Sequence, residues 1–245
     1  MSIEVKTIGF DGPSRSGKGT QIELLRHKLT SLSIPFFVVR GDGTKQHNHN
    51  DPWWNKMNNR LHSPEVTNQD WHVAAYRLAQ ELVHIRDTVL PQMAATLGAP
   101  CAFLLVDRTL LSRTMIPREE NPEDVISRLY PESARQEGLE ITPQMVSPDI
   151  IFHISATKEV LLARLDKDDP KYEFRKEMIM KRTEWYKDAA KFLPPEIQSR
   201  IVIIDGEQAI DEIFDIIWVV LLEKYPMQLK HIPAMAIPQE ITPSV

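Results

Sequence analysis

Cysteine is almost missing from this sequence: Cys101 is the only one in 245 residues. That excludes a disulfide framework and a cysteine-based metal site, and the one thiol is expected as a buried small hydrophobe in a reducing compartment. Long apolar runs are missing too. The longest, Ile216 to Leu222, falls well below the about 18 residues a membrane span needs and suits a core helix. Met1 to Gly9 has no basic stretch leading into an apolar one, so neither a leader nor a membrane partner is expected, and the cytoplasm is the expected setting. Positive charge is not in excess. With 29 Lys and Arg against 34 Asp and Glu, the formal net charge is −5, whereas proteins that grip a nucleic acid polymer by neutralising its phosphates normally show a strongly basic face. Free nucleotides stay open as ligands.

What is present is a repeated alternation. Apolar, β-branched runs recur at Val5 to Phe10, Phe36 to Val39, Ala102 to Val106, Ile150 to Ile154 and Ile201 to Ile204. They are continuous rather than alternating in and out, which suits strands of a parallel sheet covered on both faces. Between them, helical spacing marks Gln21 to Leu32, Trp71 to Leu97, Lys158 to Leu165, Glu173 to Phe192 and Ala209 to Lys224. Strand followed by helix, repeated, predicts an α/β domain of right-handed crossover units, and the length suits one such domain over residues 1–225. Two long polar connections, about 44–70 and 112–147, are expected to be functional insertions. The last stretch, 226–245, is expected to run as an extended tail, because Tyr225 to Val245 contains four prolines and little charge.

The strongest local signal is Gly12-Pro-Ser-Arg-Ser-Gly17-Lys18-Gly19-Thr20, set directly between the first strand and the first helix. It fits G-x-x-x-x-G-K, with Gly19 where Ser or Thr is commonest and Thr20 one place later. Glycines permit the positive φ that lets successive backbone N–H groups, from Gly12 through Ser14, Ser16 and Gly17 to Gly19 and Thr20, face one concavity around a phosphate. The helix N-terminus adds partial positive charge, and Lys18 reaches the β- and γ-phosphates. The loop alone predicts binding of a nucleoside triphosphate, and a three-layer P-loop NTPase fold with a five-stranded parallel sheet flanked by helices is the expected architecture. Arg15 inside the loop is either a solvated charge or a transition-state cation supplied in cis.

With these residues in view the chain resembles the thymidylate kinases, nucleoside monophosphate kinases of the P-loop class. Phe10-Asp11-Gly12 is similar to that family's Phe-Glu-Gly ahead of the loop, and Arg15 resembles the arginine of the members that carry their catalytic cation there. Arg40-Gly41-Asp42-Gly43-Thr44 keeps the arginine and closing Gly-Thr of the family's motif after the second strand. Ala74-Ala75-Tyr76-Arg77 is similar to its Ala-Ala-Asp-Arg, Asp107-Arg108-Thr109 with Ser112 to its Asp-Arg-Tyr and following serine, and Pro148-Asp149 to its proline-aspartate pair. Arg164, the hinge Asp166 to Pro170, Tyr172-Glu173 and the helix through Tyr186 resemble its lid, expected at about 164–174, and Ile204-Asp205-Gly206 its last strand.

The resemblance implies transfer of the γ-phosphoryl of ATP to a small phosphorylated acceptor, dTMP or a related (deoxy)nucleotide, by a homodimer. It implies Lys18, Arg15 and Asp107 as catalytic residues, with Arg164 at the donor. Arg77 and Arg108 would clamp the acceptor phosphate with Arg40 beside them, since guanidinium groups bind phosphate oxygens bidentately. Thr20 and Asp107 would serve the Mg²⁺ shell. The departures fall where the acceptor is read: Ser14 replaces an aspartate, Thr109 a tyrosine, and Arg113-Thr114-Met115 the downstream serine and tyrosine-glutamine. Trp53-Trp54 is open both to stacking on the acceptor and to covering a core. His47, His49 and Asp51 lack a fourth ligand and suit a surface better than a metal site. A kinase of deoxynucleosides, a nucleotide switch and a non-catalytic binding relative stay open as alternatives. The switch lacks its guanine-reading motif, because Asn55-Lys56-Met57-Asn58 lies in the wrong place and has no aspartate.

Overall fold

Five strands form where the apolar runs lie: β1 Glu4–Asp11, β2 Phe36–Arg40, β3 Cys101–Asp107, β4 Ile150–Ser155 and β5 Ile201–Asp205. The computed structural model describes residues 3–40, 65, 67, 77, 79–109, 112 and 147–230. It sets the strands side by side in the order β2-β3-β1-β4-β5, every pair parallel. β1 is therefore central, with β3 on one flank and β4 on the other. Such a reversal of strand order opens a crevice beyond the carboxyl ends of the strands, which is where open α/β sheets bind ligands. The register fixes what stands there: Phe10 pairs with Asp107, Asp11 with His153, and Arg40 with Asp107.

Both faces of the sheet are covered, as continuous apolar strands require. Ile8, Phe10, Phe103, Leu105, Phe152 and Ile154 pack in one core with Ile22, Leu25 and Leu29 of α1 (Lys18–Ser31) and with Ile213, Ile217 and Leu221 of α2 (Ile210–Lys224). Val39, Ala102, Leu104 and Val106 pack on the other face against Leu90 and Ala94 of α3 (Leu90–Thr96). A smaller cluster of Leu161, Leu165 and Ile179 joins α4 (Lys158–Ala163) to α5 (Tyr172–Asp188), so the segment between these two helices is anchored at both ends. This is the three-layer P-loop NTPase fold expected from the sequence.

Two departures have local causes. The helix expected across residues 71–97 runs without interruption over its described part, 79–96, but widens at a π turn, Ile85–Val89, ahead of α3. Pro91 has no N–H for the carbonyl of Asp87 and its ring would collide with it, and a widened turn removes the conflict. The tail expected to be extended begins instead with a short helix, α6 (Pro226–Lys230). Proline is at home in a first helical turn. Leu229 is buried, and the Gln228 side-chain amide donates to Glu4 at 2.6 Å, so apolar burial and one anchor outweigh the proline content. Residues 231–245 lie outside the described residues, as do nearly all of the two insertions with Trp53, Trp54 and the His47 to Asp51 run. Cys101 is buried as expected, and burial raises its thiol pKa. Among the described residues no helix is long and apolar enough to cross a membrane.

Candidate active site

The loop between β1 and α1 takes its shape from three residues with positive φ: Gly12 at 132°, Arg15 at 68° and Gly17 at 100°. A Cβ on Gly12 would overlap the carbonyl oxygen of Ile154, so β4 runs against the loop too closely for any side chain. Gly206, just past β5, closes in from the next strand, and a Cβ there would come within 3.0 Å of the Ser16 carbonyl oxygen. A Cβ on Gly17 or Gly19 would meet nothing within 4 Å, which makes the space in front of the loop open. Gly17 begins α1 with no side-chain cap and no acidic residue in the first turn. The orphan N–H groups there are thus available to an anion, as a triphosphate cradle requires. Thr20 stands exposed in the same turn.

Lys18 is folded into this cradle. Its ammonium donates to the carbonyl oxygens of Gly12 at 2.9 Å and Pro13 at 2.7 Å, with the Ser16 hydroxyl at 3.4 Å. The side chain is only 6% exposed. Burial pushes its pKa down to about 8, helped by the nearby Arg108 guanidinium and opposed by the carboxylates of Asp107 and Asp11. That electrostatic neighbourhood brings three of the expected site residues, Lys18, Asp107 and Arg108, to one place at the carboxyl ends of β1 and β3.

Arg108 carries positive φ, 73°, at a residue with a Cβ. Such a conformation costs of order 1–3 kcal/mol and persists only where its surroundings enforce it. The enforcement is visible. Arg108 donates its N–H to the Phe10 carbonyl at 2.8 Å, and the next residue, Thr109, gives its N–H and its hydroxyl to Asp11 Oδ2 at 2.7 and 2.6 Å. Asp11 is completely buried and also accepts from Gly12 N at 2.8 Å, Ser112 N at 3.2 Å and Ser112 Oγ at 2.6 Å. Ser112 in turn meets the Tyr186 hydroxyl of α5 at 2.8 Å, and the Tyr186 ring lies 5.5 Å from His153, whose pKa burial lowers. In the sequence Asp11 stands only as part of a motif and Tyr186 only as a helix end, because the partners that make Asp11 a hub are 98 and 101 residues away.

The expected lid meets the loop from the other side. Arg164, at the end of α4, points a guanidinium nitrogen to the Arg15 carbonyl at 3.5 Å. Asp169 in the polar hinge faces two cations, Arg15 at 3.5 Å and Arg175 of α5 at 3.0 Å. Arg175 was not among the residues expected at the site, because a cation in a charged helix reads as solvated. Arg77 is exposed on its helix. Arg40 ends β2 in register with Asp107, and its side chain lies outside the described residues. Among the described residues no group of three or more His, Cys, Asp or Glu is arranged for a metal ion.

A curated thymidylate kinase of Acholeplasma laidlawii (strain PG-8A) is 23% identical over 222 residues, spanning 86% of this chain and 95% of that protein. The structure of thymidylate kinase from Candida albicans matches with a TM-score of 0.55 at 18% identity, covering 91% of this chain and 94% of that one. In sequence and fold the chain is thymidylate kinase-like. No protein-family model matches it. Each relative is covered nearly end to end, so the likeness extends over most of the domain.

Proposed function

We propose that this chain catalyses ATP-dependent phosphoryl transfer to a nucleoside monophosphate, with dTMP or a related (deoxy)nucleotide as acceptor. The observation that carries the reading is the loop shaped by positive φ at Gly12, Arg15 and Gly17 with Lys18 folded against its carbonyls, and Arg108 held by Phe10 at the end of the neighbouring strand. A lysine at the start of the first helix holds a donor triphosphate, and a guanidinium within its electrostatic reach supplies the grip for a second phosphate in line with it. Phosphoryl transfer asks the protein for positioning and charge neutralisation, so no nucleophilic side chain is needed. The loop amides and Lys18 take the donor phosphates, and Arg15, set in the loop at positive φ, supplies a cation in cis. Arg164 and the lid hinge close over the loop and keep water from the γ-phosphate. Arg77 and Arg40 join Arg108 at the acceptor. Mg²⁺, held by Thr20 and Asp107 together with the phosphates, would neutralise charge on the transferring group.

The acceptor base is read elsewhere than at Thr109. That residue, where the family has tyrosine, is buried against Gly9 and bonded to Asp11, so it faces the fold and not a ligand. The Candida albicans enzyme is described as having broad substrate specificity, which makes a panel of acceptors the right test. Purified protein with ATP and Mg²⁺ is offered dTMP, dUMP, dGMP, dCMP and dAMP, alongside thymidine, and ADP release is followed. Turnover with a monophosphate and none with the free nucleoside is expected; tight ATP binding with no monophosphate consumed would remove the proposal. A homodimer and a cytoplasmic setting belong to the same proposal, and sedimentation at equilibrium tests the first.

A further inference from the structure

We infer that Asp11, Ser112 and Tyr186 form a positioning relay that ties the lid helix α5 to the turn aiming Arg108, so that the acceptor grip depends on how that helix is seated. The inference rests on the monophosphate kinase reading above. None of the three residues is needed to touch a phosphate, yet all three are buried, and a buried carboxylate with five donors on it is a costly arrangement to keep without a task.

The direction of each bond can be worked out. Ser112 has one hydroxyl hydrogen, and at 2.6 Å it goes to Asp11 Oδ1, which can only accept. The Tyr186 hydroxyl, 2.8 Å away, is then the donor to Ser112 Oγ. The chain runs from α5 through Ser112 to Asp11, and from Asp11 back to Thr109 N and Oγ1, one residue after Arg108. Arg108 is the strained position, and the bond from Thr109 N–H to Asp11 fixes the peptide plane that follows Arg108. Loosening them lets Arg108 relax from positive φ and turn its guanidinium. The other end of the relay sits on the helix whose first turns carry Arg175, paired through Asp169 with Arg15 of the phosphate loop. One helix therefore senses the donor loop at its start and holds the acceptor turn near its end.

The mildest test removes only the Tyr186 hydroxyl. In Tyr186→Phe the ring stays to pack on His153 while Ser112 loses its donor. The full chain is assayed with dTMP as probe acceptor, with its thermal midpoint measured and amide hydrogen exchange followed at Thr109 and Ser112. The expected result is a rise in KM for dTMP of about fivefold, the equivalent of one hydrogen bond, with the KM for ATP unchanged and faster exchange at both amides. Asp11→Asn should show a larger rise, and Asp11→Glu should recover part of it. A dTMP KM equal to the parent's overturns the relay, and so does a parallel loss of ATP and dTMP affinity with a lower thermal midpoint, which a merely structural role would produce. If the parent itself phosphorylates no monophosphate, the kinase reading falls, and exchange at Thr109 and Ser112 decides the relay alone: unchanged rates in Tyr186→Phe overturn it.

Discussion

Lys18 is carried at neutral pH as an ammonium inside the fold, and the strain of doing so has a measurable pH signature. Its folded pKa near 8, against 10.5 for a free lysine, is a gap of 10.5 − 8, about 2.5 units. At about 1.4 kcal/mol per unit that is about 3 kcal/mol of penalty on the charged form. Below pH 8 both folded and unfolded chains hold the proton, and the fold bears the whole penalty. Above pH 10.5 neither holds it, and the penalty is gone. Between these limits the unfolded chain binds more protons, so stability rises with pH. Other lysines and tyrosines titrate in the same range, and Lys18→Met, which keeps the length of the stem, subtracts them. The unfolding free energy of the parent minus that of Lys18→Met, from urea titrations, should grow by about 3 kcal/mol from pH 8 to 10.5. In saturating ATP the growth should shrink, because the triphosphate opposite the ammonium restores its basicity. A difference that stays flat without ATP would mean that Lys18 is solvated and does not lie against the Gly12 and Pro13 carbonyls, and the account of the cradle would fail.

Three further outcomes follow from the same geometry. Arg15→Ala should lower kcat by about 10³ with ATP binding close to the parent's in a fluorescence titration, and an unchanged kcat would move the catalytic cation to the lid. Arg108→Ala should chiefly raise the acceptor KM in steady-state kinetics; equal acceptor kinetics would remove the clamp. Gly12→Ala combines positive φ with an overlap on the Ile154 carbonyl, so urea unfolding should show a loss above about 2 kcal/mol or no stable fold.

The frame of the molecule was legible because it is written in local patterns. Apolar runs gave five strands to within about a residue of their ends, and a glycine-lysine turn between a strand and a helix gave the cradle with Lys18 inside it. What was not legible is made of contacts between distant segments. A charged hinge such as Asp166 to Lys171 has the composition of a solvated loop, and only the fold shows Asp169 set between Arg15 and Arg175. Asp11 has the same history: a carboxylate ahead of a glycine suggests a turn, and its bonds to Thr109 and Ser112 require β3 to lie beside β1 in a particular register. Two prolines act locally in ways the broad pattern does not show: Pro91 within an expected helix and Pro226 at the head of an expected extended tail. The first marks a π turn inside a helix and the second opens a helix in a proline-rich tail.

The distribution of charge explains why the site suits a small polyanion. The chain as a whole is acidic, with a formal net charge of −5, and a polymer of phosphates would meet repulsion over most of its length. Cations are instead gathered about the β1–α1 loop: Lys18 with Arg108 near it, Arg15 with Arg164 at its carbonyl, and Arg175 joined to Arg15 through Asp169. Arg108 works against Lys18, lowering its pKa, and Asp169 is shared between two arginines. Of these cations Lys18 is the one whose charged form burial opposes. A ligand with several negative charges would offset the burial of Lys18 and meet the neighbouring guanidinium groups together. A donor triphosphate facing an acceptor monophosphate has this form, and a single phosphate leaves part of the cluster unmatched. Thermal stabilisation by ATP and dTMP together should therefore exceed that by either alone, and equal midpoints with one ligand and with both would contradict the electrostatic argument.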